Sequence, residues 1–316
     1  MNRHLAFHVR FVNSFARICL LVPLFLFFAW PCLAEELDPR RWAHLPIDTN
    51  FVGTGYAYTE ADIGFDPVLR LENVQMDIHT WAAKYIRTFS LFEKTAKVSL
   101  LQSYQEGHWS GLLDGAPKEV KRSGWSDTLL RFAINLYGSP PLQGKEYAAY
   151  RAATKVETIV GAGLSVQLPT GDYMEDKLIN LGTNRFTFRP QLGFMHARGK
   201  WSTEVTGIVA LYTDNNEFFN DHKLEQDPLY IIHGHLLYAF RPGVWTSVSA
   251  GYDYGGRSTV DGTKKDDQKR NLGWAFSFGF PITRHLAAKM AYIGTRTQEF
   301  TGIDSDTLTM GVSAFW

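Results

Sequence analysis

The chain has 316 residues, of which 45% are apolar and 14% aromatic, and its 32 basic residues balance 32 acidic ones. That composition supports a sizeable ordered structure and excludes a disordered tail. Zero formal net charge, with no clustered basic face, removes the electrostatic case for a nucleic-acid partner.

At the N-terminus, Arg3, Arg10 and Arg17 precede an apolar run over residues 18–34, and the acidic Glu35 and Glu36 follow at once. A basic start, an apolar run and small residues before a polar segment predict an export signal over residues 1–34, cleaved after Ala34. The run is short for an anchor helix and Pro23 interrupts it. A lipid-modified Cys32 would need small residues before it, where Trp30 and Pro31 stand. Both cysteines, Cys19 and Cys32, fall in this segment. The mature chain therefore has neither a disulfide framework nor a thiolate metal site. Beyond Ala34 no stretch approaches the roughly 18 consecutive apolar residues of a membrane helix. Such an exported chain is either soluble in the periplasm or a barrel in the outer membrane. Residues 35–49 are expected to form a short periplasmic segment, too short for an internal hatch domain, so that any plug would come from side chains or a folded-in loop.

From Asn50 onward, alternating segments recur. VETIVGAGLSVQLP sets Val160, Ala162, Leu164, Val166 and Leu168 against Gly161, Gly163, Ser165 and Gln167. NLGWAFSFGFPI sets Leu272, Trp274, Phe276, Phe278 and Phe280 against Gly273, Ala275, Ser277 and Gly279. The last residues alternate in the same way, with Leu308, Met310, Val312 and Ala314 apolar up to the terminal Trp316. Period two predicts strands with one apolar face. A soluble sandwich and a membrane barrel both produce it, and the connections separate them. Tight turns at Gly199 and Lys200, Arg241 to Gly243 and Thr283 to His285 alternate with long polar stretches such as STVDGTKKDDQKRN. This is the arrangement of outer-membrane barrels, with short turns in the periplasm.

The fold predicted is a transmembrane antiparallel up-and-down β-barrel of about twelve strands in a bacterial outer membrane, over residues 50–316. Strand starts fall near Asn50, Asn73, Ala96, Gly124, Lys155, Asn184, Trp201, Asp227, Val244, Arg270, Leu286 and Ser305. SPPLQGKEYAAYRAA, after Tyr137, is long for a periplasmic turn and is expected to hold a short helix. Trp109, Trp125, Tyr173, Trp201, Tyr212, Tyr230, Trp245, Tyr254 and Trp274 lie near strand ends, as interfacial girdles require. Gly311, Ala314 and Trp316 complete a terminal pattern that resembles the signal by which such barrels are recognised for assembly. The partners implied are outer-membrane lipid and lipopolysaccharide, the barrel-assembly machinery and a small apolar solute.

WSDTLLRFAINLYG, VGAGLSVQLPTGDY, LGTNRFTFRPQLGF and VSAGYDY, in this order, resemble the outer-membrane family named for the meta-cleavage pathway of phenol degradation, whose members are described as transporters. The similarity runs from about Ile47 to Trp316. Its motifs are structural, so it implies a barrel and passage of aromatic or other apolar compounds, and supplies no binding residues.

Strand parity turns Asp127, Arg131, Glu157, Arg189, Glu204, His233, His235, Asp253 and Lys289 into the lumen. Charges in a narrow barrel pair, since isolated ones are costly to desolvate. They form either a structural ion-pair network or the lining of a solute path. His233 and His235 share a face, yet no third and fourth ligand is evident from spacing, so no metal is expected. His108 and Ser110 form a His-x-Ser pair of the kind some outer-membrane esterases use, but Asp127, the acid nearest in register, has inward parity while His108 faces outward. No catalytic residues and no cofactor are assigned. The favoured function is a channel or transporter for small apolar or aromatic solutes. A closed structural or surface-interaction barrel is the alternative, and an outer-membrane esterase or deacylase the third.

Overall fold

The computed structural model describes residues 37–66, 71–113 and 115–316; the predicted export signal lies outside them. Strands β1 (Asn50–Asp66), β2 (Leu71–Leu91), β3 (Lys94–Leu113), β4 (Ala116–Trp125), β5 (Thr128–Tyr137), β6 (Val156–Leu168), β7 (Thr187–Arg198) and β8 (Trp201–Tyr212) follow in order. A hairpin of β9 (Asn215–Phe218) and β10 (His222–Gln226) leads to β11 (Leu229–Arg241) and β12 (Val244–Gly255). A second, β13 (Ser258–Val260) and β14 (Thr263–Lys264), precedes β15 (Lys269–Pro281), β16 (Leu286–Thr297) and β17 (Ile303–Phe315). Wall strands pair antiparallel throughout, and β17 returns to β1 in register from Phe51–Phe315 to Ile63–Ile303. β4 and β5 are halves of one wall strand, interrupted at Ser126 and Asp127, and both pair with β3. The wall is thus a closed antiparallel barrel of twelve strands. No helix among the described residues is long and apolar enough to cross a membrane.

Closure leaves no unpaired edge, the condition for a sheet to sit in lipid. The alternation then sorts the side chains. Phe276, Leu308 and Met310 are about half exposed on the outside, whereas Ala275, Ser277, Thr307 and Thr309 between or beside them are buried within. At the short-turn end, Gly199 (φ +60) sits between Arg198 and Lys200 in a left-handed conformation that a β-branched residue would resist. The connection after β5 contains helix α1 (Gly144–Ala153), as its length suggests. The fourth wall strand begins at Ala116 rather than near Gly124. Its first half, APKEVKRSGW, carries charge in place of an apolar row because it runs beyond the lipid, and so escaped an apolar-periodicity search. β2 and β3, of 21 and 20 residues, also outrun the roughly 10 residues a tilted strand needs to span the membrane.

Of the expected girdle, Trp125, Trp201, Tyr230 and Tyr254 are exposed on the outside. Trp109 is instead buried beside Ile63 and Val74, and Tyr212 and Trp245 line lumen cavities. Odd positions on β3 and even positions on β8 point inward, and proximity to a strand end does not override parity.

Purified in detergent, the protein is expected to give a β-type circular dichroism spectrum and a gel mobility that changes on boiling. A helical spectrum, or solubility without detergent, would contradict the barrel.

Candidate functional site

Residues 37–49 do not lie in the periplasm as a linker; they enter the lumen and cross it. Trp42 is wholly buried, its ring against Gly161 of β6 and Gly193 of β7, which face each other in register. A Cβ at Gly193 would stand 1.8 Å from Trp42 Nε1, so the paired glycines form a slot that only their missing side chains leave open. Leu37 occupies the equivalent place over Gly251 and Gly273, also in register, on β12 and β15. The glycines that sequence parity places in the lumen are therefore grouped on neighbouring strands, but the groove they make is filled by the chain's own N-terminal segment.

Polar contacts fix the segment. Trp42 Nε1 donates to Thr206 Oγ1 at 2.9 Å. The Arg41 backbone N–H donates to Glu204 at 3.0 Å, its Nη1 to Gln191 Oε1 at 3.1 Å, and its carbonyl accepts from Lys97 Nζ at 2.6 Å. His44 lies between Glu157 at 2.8 Å and the Pro140 carbonyl at 2.9 Å. Tyr147 of α1 donates to the His44 carbonyl, and Tyr147 and Tyr150 both meet its ring edge-on. Asp38 is ion-paired to Lys289, and the Arg131 guanidinium stands 5.3 Å from the Trp42 ring. A buried carboxylate such as Glu204 is tolerated because donors converge on it.

All nine lumen candidates face inward, and they divide by role. Arg131, Glu157, Glu204 and Lys289 hold the N-terminal segment. Asp127 instead organises the loop after β6, accepting from Gly171 N–H, Thr183 N–H and Gln167 Nε2 at 2.9 to 3.0 Å. Arg189 donates to Gln167 and Asp253 accepts from Asn271. His233 and His235 bond each other at 2.9 Å, and His235 bonds Ser249. Both His235 nitrogens are thus engaged, whereas His233 Nε2 is buried with no hydrogen-bond partner; no group of three His, Cys, Asp or Glu that could hold a metal occurs among the described residues. Leu37, Asp38, Arg41, Trp42 and His44 escaped the sequence reading. The signal available was RRW over 40–42, an aromatic flanked by charge in a segment otherwise read as a spacer.

His108 and Ser110 lie on the outward face of β3, opposite Lys121 and Glu119 of β4. His108 has Glu119 at 2.9 Å from Nε2 and Asp77 at 4.0 Å from Nδ1, so both ring nitrogens face carboxylates rather than Ser110. Asp127 is on the other face of the wall and taken by its own donors. The constellation lacks the serine–base contact that nucleophilic catalysis needs.

The N-terminal segment divides the lumen. At the long-loop, extracellular end lie two adjoining spaces of about 310 and 370 Å³, with Arg185, Leu229, Asp253 and Lys269 in the walls of both. Leu37, Ala210 and Ile231 line the first of them, and residues of the β9, β10 and β13 hairpins the second. Those hairpins are tied together at Asp261, whose carboxyl is held below its ordinary range by the Lys223 backbone N–H and by His222. At the periplasmic end a cavity of about 800 Å³ is lined by Phe51, Ile86, Trp245, Phe280, Leu286 and Phe315, with Asp38 and Arg40 of the segment in its wall.

The family described as "Putative MetA-pathway of phenol degradation" matches residues 61–303. The chain belongs to this family. Among solved structures, the COG4313 outer membrane channel from Pseudomonas putida F1 superposes with a TM-score of 0.74 at 20% identity, over 89% of this chain and 100% of that one. The translocator domain of the autotransporter NalP from Neisseria meningitidis aligns over 97% of this chain and 96% of its own, at 10% identity and a TM-score of 0.48. At 20% identity the likeness to the channel is one of fold, that of an outer-membrane barrel. No curated protein matches the chain.

Proposed function

We propose that this family member is an outer-membrane channel that admits small apolar or aromatic solutes, exported with a cleaved signal over residues 1–34 and folded by the barrel-assembly machinery among lipid and lipopolysaccharide. The observation that carries the reading is the pair of cavities, apolar in much of their lining, that lie above and below the segment at residues 37–43. A sealed structural barrel has no need of either. Concave sites with apolar walls and a few placed polar groups are the usual form of small-molecule sites. The family description and the channel among its structural relatives agree with it. The His108 geometry gives no support to an esterase.

The closed-barrel alternative draws on the density of contacts that Trp42 and Arg41 make. Uptake separates the two. Cells carrying the gene should accumulate a small labelled aromatic compound faster than a deletion strain, at equal protein expression. Equal rates in the two strains would leave the closed barrel in front.

A further inference from the structure

The chain as a whole is neutral, but its cavity walls are not. The charged residues lining the upper and lower cavities comprise seven cations and three acids. Acidic side chains collect on the outer surface instead: Glu60, Asp62, Asp304 and Asp306 share the outward parity of Leu308 and Met310. The sorting of charge across one wall gives the interior a positive field in a low-dielectric surround.

Arg185 is the focus of that field in the upper cavity. Its guanidinium packs over the Tyr212 ring, 4.6 Å from the centroid. Nη2 donates to Gln226 Oε1, a neutral amide, and Nη1 is buried with no hydrogen-bond partner. A buried guanidinium donor without an acceptor is rare and costly. The two acids in the same walls are engaged with other groups. Asp253 accepts from Asn271 N–H at 2.9 Å, and Asp267 from Ser258 N–H at 2.8 Å. Below Arg185, Leu37, Ala210 and Ile231 supply an apolar floor.

We infer that the upper cavity is a binding site for a small amphipathic monoanion, a carboxylate on an aromatic or short aliphatic body, its head group on Arg185 and its body on the Leu37 and Ile231 floor. A guanidinium fork matches a carboxylate in geometry as well as charge. One negative charge fits better than two, because Asp253 and Asp267 share the walls. The inference rests on the channel reading and narrows its solute class.

The test uses the full mature chain refolded in a non-ionic detergent, with equilibrium dialysis of labelled benzoate and of labelled benzyl alcohol, its neutral counterpart, at neutral pH. Empty micelles provide the partition blank, and the mobility shift on boiling confirms that each variant is folded. Wild type should bind benzoate about tenfold more tightly than benzyl alcohol, the yield of one charge-assisted hydrogen bond. Arg185→Gln should remove that preference while leaving benzyl alcohol unchanged, and Arg185→Lys should keep part of it. Lys223→Gln, a charge loss on the extracellular hairpin outside the cavity walls, should alter neither. Equal affinity for the two compounds, binding of neither, or an equal loss in Lys223→Gln overturns the site. Benzyl alcohol bound as well as benzoate would do so while sparing the passage of neutral solutes, which the uptake comparison decides independently.

Discussion

Trp42→Ala is expected to raise the single-channel conductance of the refolded protein severalfold in a planar bilayer. The indole is wholly buried at the centre of the lumen and fills the slot over Gly161 and Gly193. Its removal leaves a gap with Ala133, Ile159 and Met195 on one side and Thr206 and Arg131 on the other, the latter two offering polar partners to entering water. Gly193→Ala tests the same point from the wall side: the new methyl would coincide with the Trp42 ring and evict it. Gly207→Ala, whose Cβ would meet nothing within 4 Å, is the control and should conduct like wild type. If Trp42→Ala and Gly193→Ala both keep the wild-type conductance, the lumen is sealed by something other than this segment.

The barrel was legible because lipid imposes one rule on every strand. Any residue facing outward must be apolar across the membrane, so Leu272 to Phe280 announce their side without reference to neighbours. Parity then fixes the inward set, which is why Glu204 and His233 could be placed from sequence. What parity does not carry is the identity of the group that meets them. Glu204 is satisfied by a backbone N–H 163 residues away, and nothing local distinguishes that from a cross-barrel ion pair. The glycines are ambiguous for the same reason. A pair such as Gly161 and Gly193 marks a close approach, but a solute and a tryptophan from the same chain require the same absence of side chains. Residues 37–49 have no period because they form neither helix nor strand. Their order comes from tertiary contacts with Lys97, Glu157 and Thr206 that no window of sequence contains. The girdle shows the limit of composition: Trp201 is the first residue of β8 and Trp245 the second of β12, yet one is exposed outside and the other lines the lower cavity.

Loss of Trp316 is expected to lower the amount of protein in the outer membrane severalfold, and the structure separates two causes. Trp316 closes the barrel seam, its carbonyl accepting from Asn50 N–H at 3.0 Å and its N–H donating to the Asn50 carbonyl at 3.2 Å. Next to it, Phe315 packs against Phe51 across the β1 and β17 seam. Its own indole is 64% exposed, the position of a girdle residue that stabilises by sitting at the membrane interface. Deletion removes the backbone pair and the indole together, whereas Trp316→Ala keeps the backbone pair and removes only the indole. We propose that the terminal Gly311, Ala314 and Trp316 pattern is read by the assembly machinery. Trp316→Ala should then reduce outer-membrane levels nearly as much as deletion, with the periplasmic excess degraded, while Trp316→Phe retains most of the level. The purified alanine variant, refolded in detergent without that machinery, should regain the boiling-dependent mobility shift of wild type. Ser313→Ala, on the lumen side of the same strand, should be mild. Normal levels of Trp316→Ala alongside a depleted deletion would assign the effect to the seam hydrogen bonds and remove the indole from the recognition signal.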